Sequence, residues 1–124
     1  TGLADMIYNP PPTGHVVVIL DNSTTAMTGH QEHPGTGRLL DHSATNRVVY
    51  EDVGKAMGIE DVRVFPLSKD CAAFQSLISE ALASEKLVLI VARRPCVLAA
   101  KSIREYDQRN QCSACTTAQG VLAS

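Results

Sequence analysis

Val16-Val17-Val18-Ile19-Leu20-Asp21-Asn22 is the stretch on which the fold turns. Its β-branched residues are stiff at χ1 and suit a pleated strand. Apolar side chains fall at odd and even positions alike, so the sequence predicts a strand buried on both faces, the habit of parallel sheets. Leu87-Val88-Leu89-Ile90-Val91 repeats that pattern, and Val62-Arg63-Val64-Phe65 is a shorter, alternating run.

Helical periodicity fills the intervals. Residues 46–57 carry Val49, Val53, Ala56 and Met57 along one face, with Gly58 where a helix-terminating glycine belongs. Residues 69–83 space Phe74, Leu77, Ile78, Ala81 and Leu82 as one stripe, and Ser68 is placed to cap them. A first helix is expected over Gly2–Tyr8. Alternation of this kind predicts an α/β fold, a parallel sheet flanked by helices. A complete sheet would need more than these three strands. The chain also starts at Thr1 without Met and stops at Ser124 shortly after a Cys-x-x-Cys pair, so we expect a piece of something longer.

Composition narrows the function. A net charge of −2 leaves no basic excess for nucleic acid or an anionic membrane. The longest apolar runs, Val16–Leu20 and Leu87–Ala92, fall far short of the roughly 20 residues a bilayer requires. Four scattered cysteines in an α/β pattern do not read as a disulfide scaffold, a zinc centre or a cluster protein, and a reducing, cytoplasmic setting is expected.

The chemistry is expected just after the first strand. Asp21-Asn22-Ser23-Thr24-Thr25-Ala26-Met27-Thr28-Gly29-His30-Gln31 opens a long stretch without periodicity. It begins at the carboxyl end of a strand, where open α/β sheets place ligands. The Asn22 carboxamide oxygen and a following backbone carbonyl are hard donors suited to Mg²⁺, and hydroxyls and N–H groups from Thr24 to Thr28 suit a diphosphate. A polar Asx turn without any ligand answers the same pattern equally well. A non-catalytic phosphate- or nucleotide-binding module is the other open reading, although neither Gly-x-Gly-x-x-Gly nor Gly-x-x-x-x-Gly-Lys occurs.

The strings Gly2-Leu3-Ala4-Asp5-Met6-Ile7-Tyr8-Asn9, Val17-Val18-Ile19-Leu20-Asp21-Asn22, Thr24-Thr25-Ala26-Met27-Thr28-Gly29-His30-Gln31 and His33-Pro34-Gly35-Thr36-Gly37 closely resemble the α subunits of indolepyruvate:ferredoxin oxidoreductases, as does Val91-Ala92-Arg93-Arg94-Pro95-Cys96. The resemblance implies the second half of a thiamine diphosphate-binding domain over residues 1–104, with 105–124 a tail leading toward an iron–sulfur region. It implies that Asp21, Asn22, Thr24, Thr25, Ala26, Met27, Thr28 and Gly29 contact the cofactor. Asn22 and the Thr24 backbone oxygen would bind Mg²⁺, and His30 would lie near the reacting carbon. The Gly-Asp-Gly that supplies the other metal ligand in such enzymes is absent from these residues. The implied reaction is oxidative decarboxylation of an arylpyruvate to an acyl-coenzyme A. Its electrons would pass through 4Fe–4S clusters to ferredoxin, in partnership with a β subunit. Cys112 and Cys115 are candidates for half of a cluster site, but Ala118 and Leu122 occupy the third and fourth ligand positions of that pattern.

Overall fold

A computed structural model describes residues 2–67 and 70–119, with side chains as far as residue 111. The elements run α1 (Gly2–Tyr8), β1 (His15–Asp21), α2 (Tyr50–Ala56), β2 (Asp61–Pro66), α3 (Cys71–Ala83), β3 (Leu87–Arg93) and α4 (Ala100–Gln119). No helix among the described residues is long and apolar enough to cross a membrane. The chain falls into two compact units. The first reaches Asp21 and resumes from Val49 to Arg94; the second holds Asn22–Val48 and the chain from Pro95 onward.

The first unit is the α/β layer the sequence predicts. Its three strands are all parallel, in the order β1-β3-β2, with Val17 opposite Leu89 and Val62 opposite the same residue on the other side. The central strand is the core. Val88, Leu89, Ile90, Val91 and Ala92 are fully buried. Alternation then gives each face its own cluster. Leu89 and Val91 pack with Ile59, Leu3, Ile7 and Tyr50. Val88 and Ile90 pack with Ala81, Phe74, Leu77 and Ile78 of α3. Each such side chain contributes about 1.5–3 kcal/mol when fully withdrawn from water, so β3 is the chief source of this unit's stability.

Two expectations need correction. β1 is not buried on both faces: Val18 and Leu20 are exposed, Leu20 at 70%. Within the described residues β1 pairs with β3 alone, so it is an edge strand; Val16 still packs against the α3 cluster, while Val18 and Leu20 farther along the same face are exposed. The second helix is also shorter than residues 46–57. It begins at Tyr50 because Val49 is extended (φ −96°, ψ 112°) and Val48 donates its N–H to the Pro34 carbonyl. Its end is as predicted, with Gly58 at φ +98°.

The third helix carries a different cap. Asp70 accepts hydrogen bonds from the N–H groups of Ala72 and Ala73, both at 3.1 Å. Ser68, the expected cap, lies outside the described residues. The helix α4, which passes through residue 104, was not anticipated. Its mean hydropathy is negative, and most of its side chains as far as residue 111 are exposed.

Candidate functional site

The segment that follows β1 folds into a closed loop. The Asn22 Oδ1 accepts the Thr24 N–H at 3.2 Å, an Asx turn, and Ser23 between them takes φ +61°. Thr25 and Gln31 then exchange backbone hydrogen bonds at 2.9 and 3.3 Å, an isolated antiparallel bridge that shuts the loop. Thr28 Oγ1 donates to Gln31 Oε1 at 2.8 Å across the same loop. Gly29, at φ +108°, makes the turn back, and His30 is held at φ +61°. Non-glycine residues in that region carry a conformational cost and gather where a loop has a job.

What this loop leaves unused matters most. Among the described residues, no hydrogen bond within the chain takes the Thr24 carbonyl or the N–H groups of Ala26, Met27 and Thr28. Thr24 itself is buried, its hydroxyl turned to the Gln31 carbonyl at 3.3 Å. Thr25, Met27, Thr28, Gly29 and His30 are exposed, and Asn22 and Ala26 are half-buried. A carboxamide oxygen with one lone pair still open, a free carbonyl and three free N–H groups form a donor and acceptor set that fits a divalent cation bearing a diphosphate. The same turn satisfies the ligand-free alternative, since the Asn22 side chain already has a backbone partner.

Asp21 sits in the first unit and is engaged there. Its carboxylate is buried and accepts from Arg93 Nε at 2.8 Å, while Arg93 also pairs with Glu51 at 2.9 Å. The hydrogen bond that Arg93 donates to Glu51 raises the Arg93 pKa, burial opposes it, and the one to Asp21 adds to the rise. Arg93 therefore joins its acidic neighbours rather than an incoming anion. Among the weaker candidates, His33 accepts the Gly35 N–H on its Nδ1 at 3.1 Å and so shapes its own turn. Cys96, half-buried, donates its N–H to the Asn22 carbonyl at 2.9 Å. Cys112 and Cys115 fall outside the residues whose side chains are described. Among the described residues no three His, Cys, Asp or Glu side chains gather as a metal site of their own.

A charged cluster that sequence reading missed stands beside the loop. Arg38 is buried and gives Nε to Glu32 at 3.0 Å, one terminal nitrogen to Asp107 at 3.0 Å and the other to the Ser23 carbonyl at 3.1 Å. His42 Nδ1 lies 2.9 Å from the same Glu32 oxygen, and its ring stacks on Tyr106 at 4.1 Å and 6°. Burial by itself would raise the Glu32 pKa. Hydrogen bonds from Thr36, Arg38 and His42, with the Arg38 charge, outweigh it and hold the carboxyl below its ordinary value. Of these, the hydrogen bond from Thr36 counts most, and the Thr36 hydroxyl also lies 2.9 Å from the His33 carbonyl. The other Glu32 oxygen, Oε2, is buried, and among the described residues no well-directed hydrogen bond reaches it. Glu32 lines a cavity of about 270 Å³ together with Thr24, Gly29, His30, Tyr106 and Ile103. The only sequence signal for this cluster was the density of charged and histidine residues from Glu32 to His42. Nothing in the order of residues pairs Arg38 with Asp107.

Comparison with known proteins places this geometry in context. Residues 6–92 match the family described as thiamine pyrophosphate enzyme, C-terminal TPP binding domain. The chain is similar to the protein named indolepyruvate oxidoreductase subunit IorA in several archaea. It is 42% identical to that of Thermococcus kodakarensis over 96 residues, 77% of this chain and 14% of the relative. With that of Archaeoglobus fulgidus it shares 38% over 96 residues, 77% of this chain and 15% of the relative. With that of Methanothermobacter marburgensis it shares 34% over 112 residues, 87% of this chain and 18% of the relative. The chain thus spans less than a fifth of the length of these relatives. No solved structure matches it.

Proposed function

The chain belongs to the thiamine pyrophosphate enzymes, through their C-terminal TPP-binding domain, and on that premise we propose that it supplies the diphosphate-and-metal half of the cofactor site in a 2-oxoacid:ferredoxin oxidoreductase acting on arylpyruvates. Asn22 Oδ1 and the Thr24 carbonyl serve as Mg²⁺ ligands. Backbone N–H groups and hydroxyls from Thr25 to Thr28 hold the diphosphate, and Gly29 lets the chain turn close to it. Asp21 contributes by fixing the end of β1 through Arg93, which holds the start of the loop. His30, exposed and lining the cavity beside the loop, serves in this reading near the reacting carbon. Thiamine diphosphate, when bound, supplies the electron sink for decarboxylating a 2-oxoacid. Coenzyme A, ferredoxin, a β subunit and 4Fe–4S clusters belong to the whole enzyme in this reading.

One observation carries the proposal. The loop closed by Thr25 and Gln31 leaves the Thr24 carbonyl and the N–H groups of Ala26, Met27 and Thr28 without partners among the described residues, and this loop lies within the stretch matched to the cofactor-binding family. Exposed groups of this kind are satisfied by water when no ligand is bound, so they stand open to an incoming metal diphosphate without breaking the fold.

The test is calorimetric titration of thiamine diphosphate with Mg²⁺ into the full-length subunit assembled with its partner. Asn22→Ala is expected to weaken metal-dependent cofactor binding by about tenfold or more, the scale of a lost charge-assisted contact. His33→Ala is expected to change it little, because that side chain serves its own turn. Cofactor affinity unchanged by Asn22→Ala would overturn the assignment.

A further inference from the structure

The peptide unit between Ser23 and Thr24 is held at both ends. Its N–H donates to Asn22 Oδ1 at 3.2 Å, and its C=O accepts from one terminal nitrogen of Arg38 at 3.1 Å. A peptide unit is planar, so two opposed hydrogen bonds fix its rotation. The units on either side are tied as well. The Asn22 carbonyl accepts the Cys96 N–H at 2.9 Å, and the Thr25 N–H donates to the Gln31 carbonyl at 2.9 Å. Because the C=O and N–H of one unit point in opposite directions, that last bond turns the Thr24 carbonyl away from Gln31.

Ser23 depends on this clamp. It sits at φ +61°, a conformation that a non-glycine residue keeps only where its surroundings impose it. Relaxation of Ser23 to a negative φ would rotate the unit and take the Thr24 N–H off Asn22 Oδ1. The two oxygens assigned above to Mg²⁺, on the Asn22 side chain and the Thr24 backbone, flank that unit. Their relative placement therefore follows its orientation.

Arg38 is arranged to hold it. Its side chain is 4% exposed, with Nε on Glu32 and its other terminal nitrogen on Asp107, both at 3.0 Å. The planar fork is thus aimed from two sides before it reaches Ser23. Two carboxylates on one guanidinium also leave no excess positive charge beside a cation site, so Arg38 gives the turn direction rather than charge. Lysine, a point charge on a flexible stem, cannot reproduce a fork that meets three acceptors in one plane.

We propose that Arg38 is a positioning residue for the metal–diphosphate site: aimed by Glu32 and Asp107, it fixes the Ser23–Thr24 peptide and so sets the Asn22 and Thr24 oxygens for the cation. The inference rests on the Mg²⁺ reading above and adds to it a residue that acts through Ser23.

The experiment titrates thiamine diphosphate with Mg²⁺ into the assembled full-length enzyme by calorimetry, which reads affinity and number of sites separately. Arg38→Lys is expected to weaken metal-dependent affinity by about tenfold, the lower end for losing a group that orients a metal ligand, with the number of sites unchanged. A residue that served folding alone would instead cost sites, and those remaining would bind as the wild type does. Asp107→Ala removes one guide from Arg38 at a half-exposed position and is expected to weaken affinity by about threefold, the scale of one hydrogen bond. Asp107→Asn keeps an oxygen for Arg38 and is expected to restore wild-type affinity. Wild-type affinity in Arg38→Lys, with or without a loss of sites, would overturn the inference. If Arg38→Lys does not assemble, Asp107→Ala decides, and unchanged affinity there overturns it. Asn22→Ala is the control. Weakened binding in Asn22→Ala but not in Arg38→Lys removes only the role of Arg38, whereas full affinity in Asn22→Ala removes the Mg²⁺ assignment and this inference with it.

Discussion

The guanidinium of Arg93 stands 2.8 Å from the carboxylate of Asp21, across the paired ends of β3 and β1, and Asp21 is almost entirely withdrawn from water. The two residues are register partners, so the ion pair closes the sheet where the chain leaves it for the loop. Glu51 brings α2 into the same knot at 2.9 Å. Arg93→Met keeps the aliphatic stem and removes the charge, which strands a buried carboxylate. We expect a loss of about 3 kcal/mol, at the low end for a broken buried pair because Arg93 keeps some solvent contact. Denaturant unfolding of the chain measures it. A loss below about 0.5 kcal/mol would mean that water reaches Asp21.

Gly54 gives a second prediction, in which two effects oppose each other. Glycine inside a helix is usually inferior to alanine by about 0.5–1 kcal/mol. Here a Cβ at position 54 would run into the Leu89 side chain, which is fully buried in the central strand and would have to shift within the core. Overpacking of that kind costs about 1–3 kcal/mol, so it outweighs the helical gain. Gly54→Ala is expected to destabilise the chain by about 1 kcal/mol. A rise in melting temperature would refute the close contact between α2 and β3.

Asp70 is the third. It satisfies two N–H groups at the start of α3, the helix that covers Val88 and Ile90. Asp70→Ala should cost about 1 kcal/mol and Asp70→Asn much less, because asparagine caps nearly as well. Equal losses in the two variants would show that charge at the helix end, not the cap, is what stabilises it.

The strands were legible because apolar, β-branched runs carry their signature locally. What the runs could not reveal was sheet order. Val16–Leu20 and Leu87–Val91 read alike, yet one is an edge and the other the centre, since the order β1-β3-β2 depends on which crossovers the chain takes. The start of the cofactor loop was legible from Asn22 and the hydroxyl run after an apolar strand. Its closure by Thr25 and Gln31 was not, because a single bridge has no periodicity. The Arg38 cluster escaped for a related reason: Glu32 is six positions away, but Asp107 and Tyr106 come from a helix almost seventy positions on. That helix is itself polar on most sides, and so lacks the apolar stripe by which helices are recognised.

The Glu32 cluster yields a prediction about acid. Its carboxyl pKa lies below the ordinary value of 4.5 in the folded chain, because hydrogen bonds from Thr36, Arg38 and His42, with the Arg38 charge, overcome the effect of burial. Asp107 is the other acid on Arg38, and it is half exposed. A depressed folded pKa contributes stability that is fully present above the unfolded value, where both states are ionised. As pH falls below about 4.5 the unfolded chain takes up its proton first, and the contribution shrinks until the folded carboxyl also protonates. Glu32→Gln should therefore lower stability at neutral pH and flatten the decline in acid, so that wild type and variant converge as pH drops. Urea midpoints for both chains, taken from about pH 3 to pH 7, test this directly. Parallel curves offset by a constant amount would mean that Glu32 contributes by packing alone. A variant more stable than wild type at neutral pH would mean that burying the Glu32 charge costs the chain more than Thr36, Arg38 and His42 return.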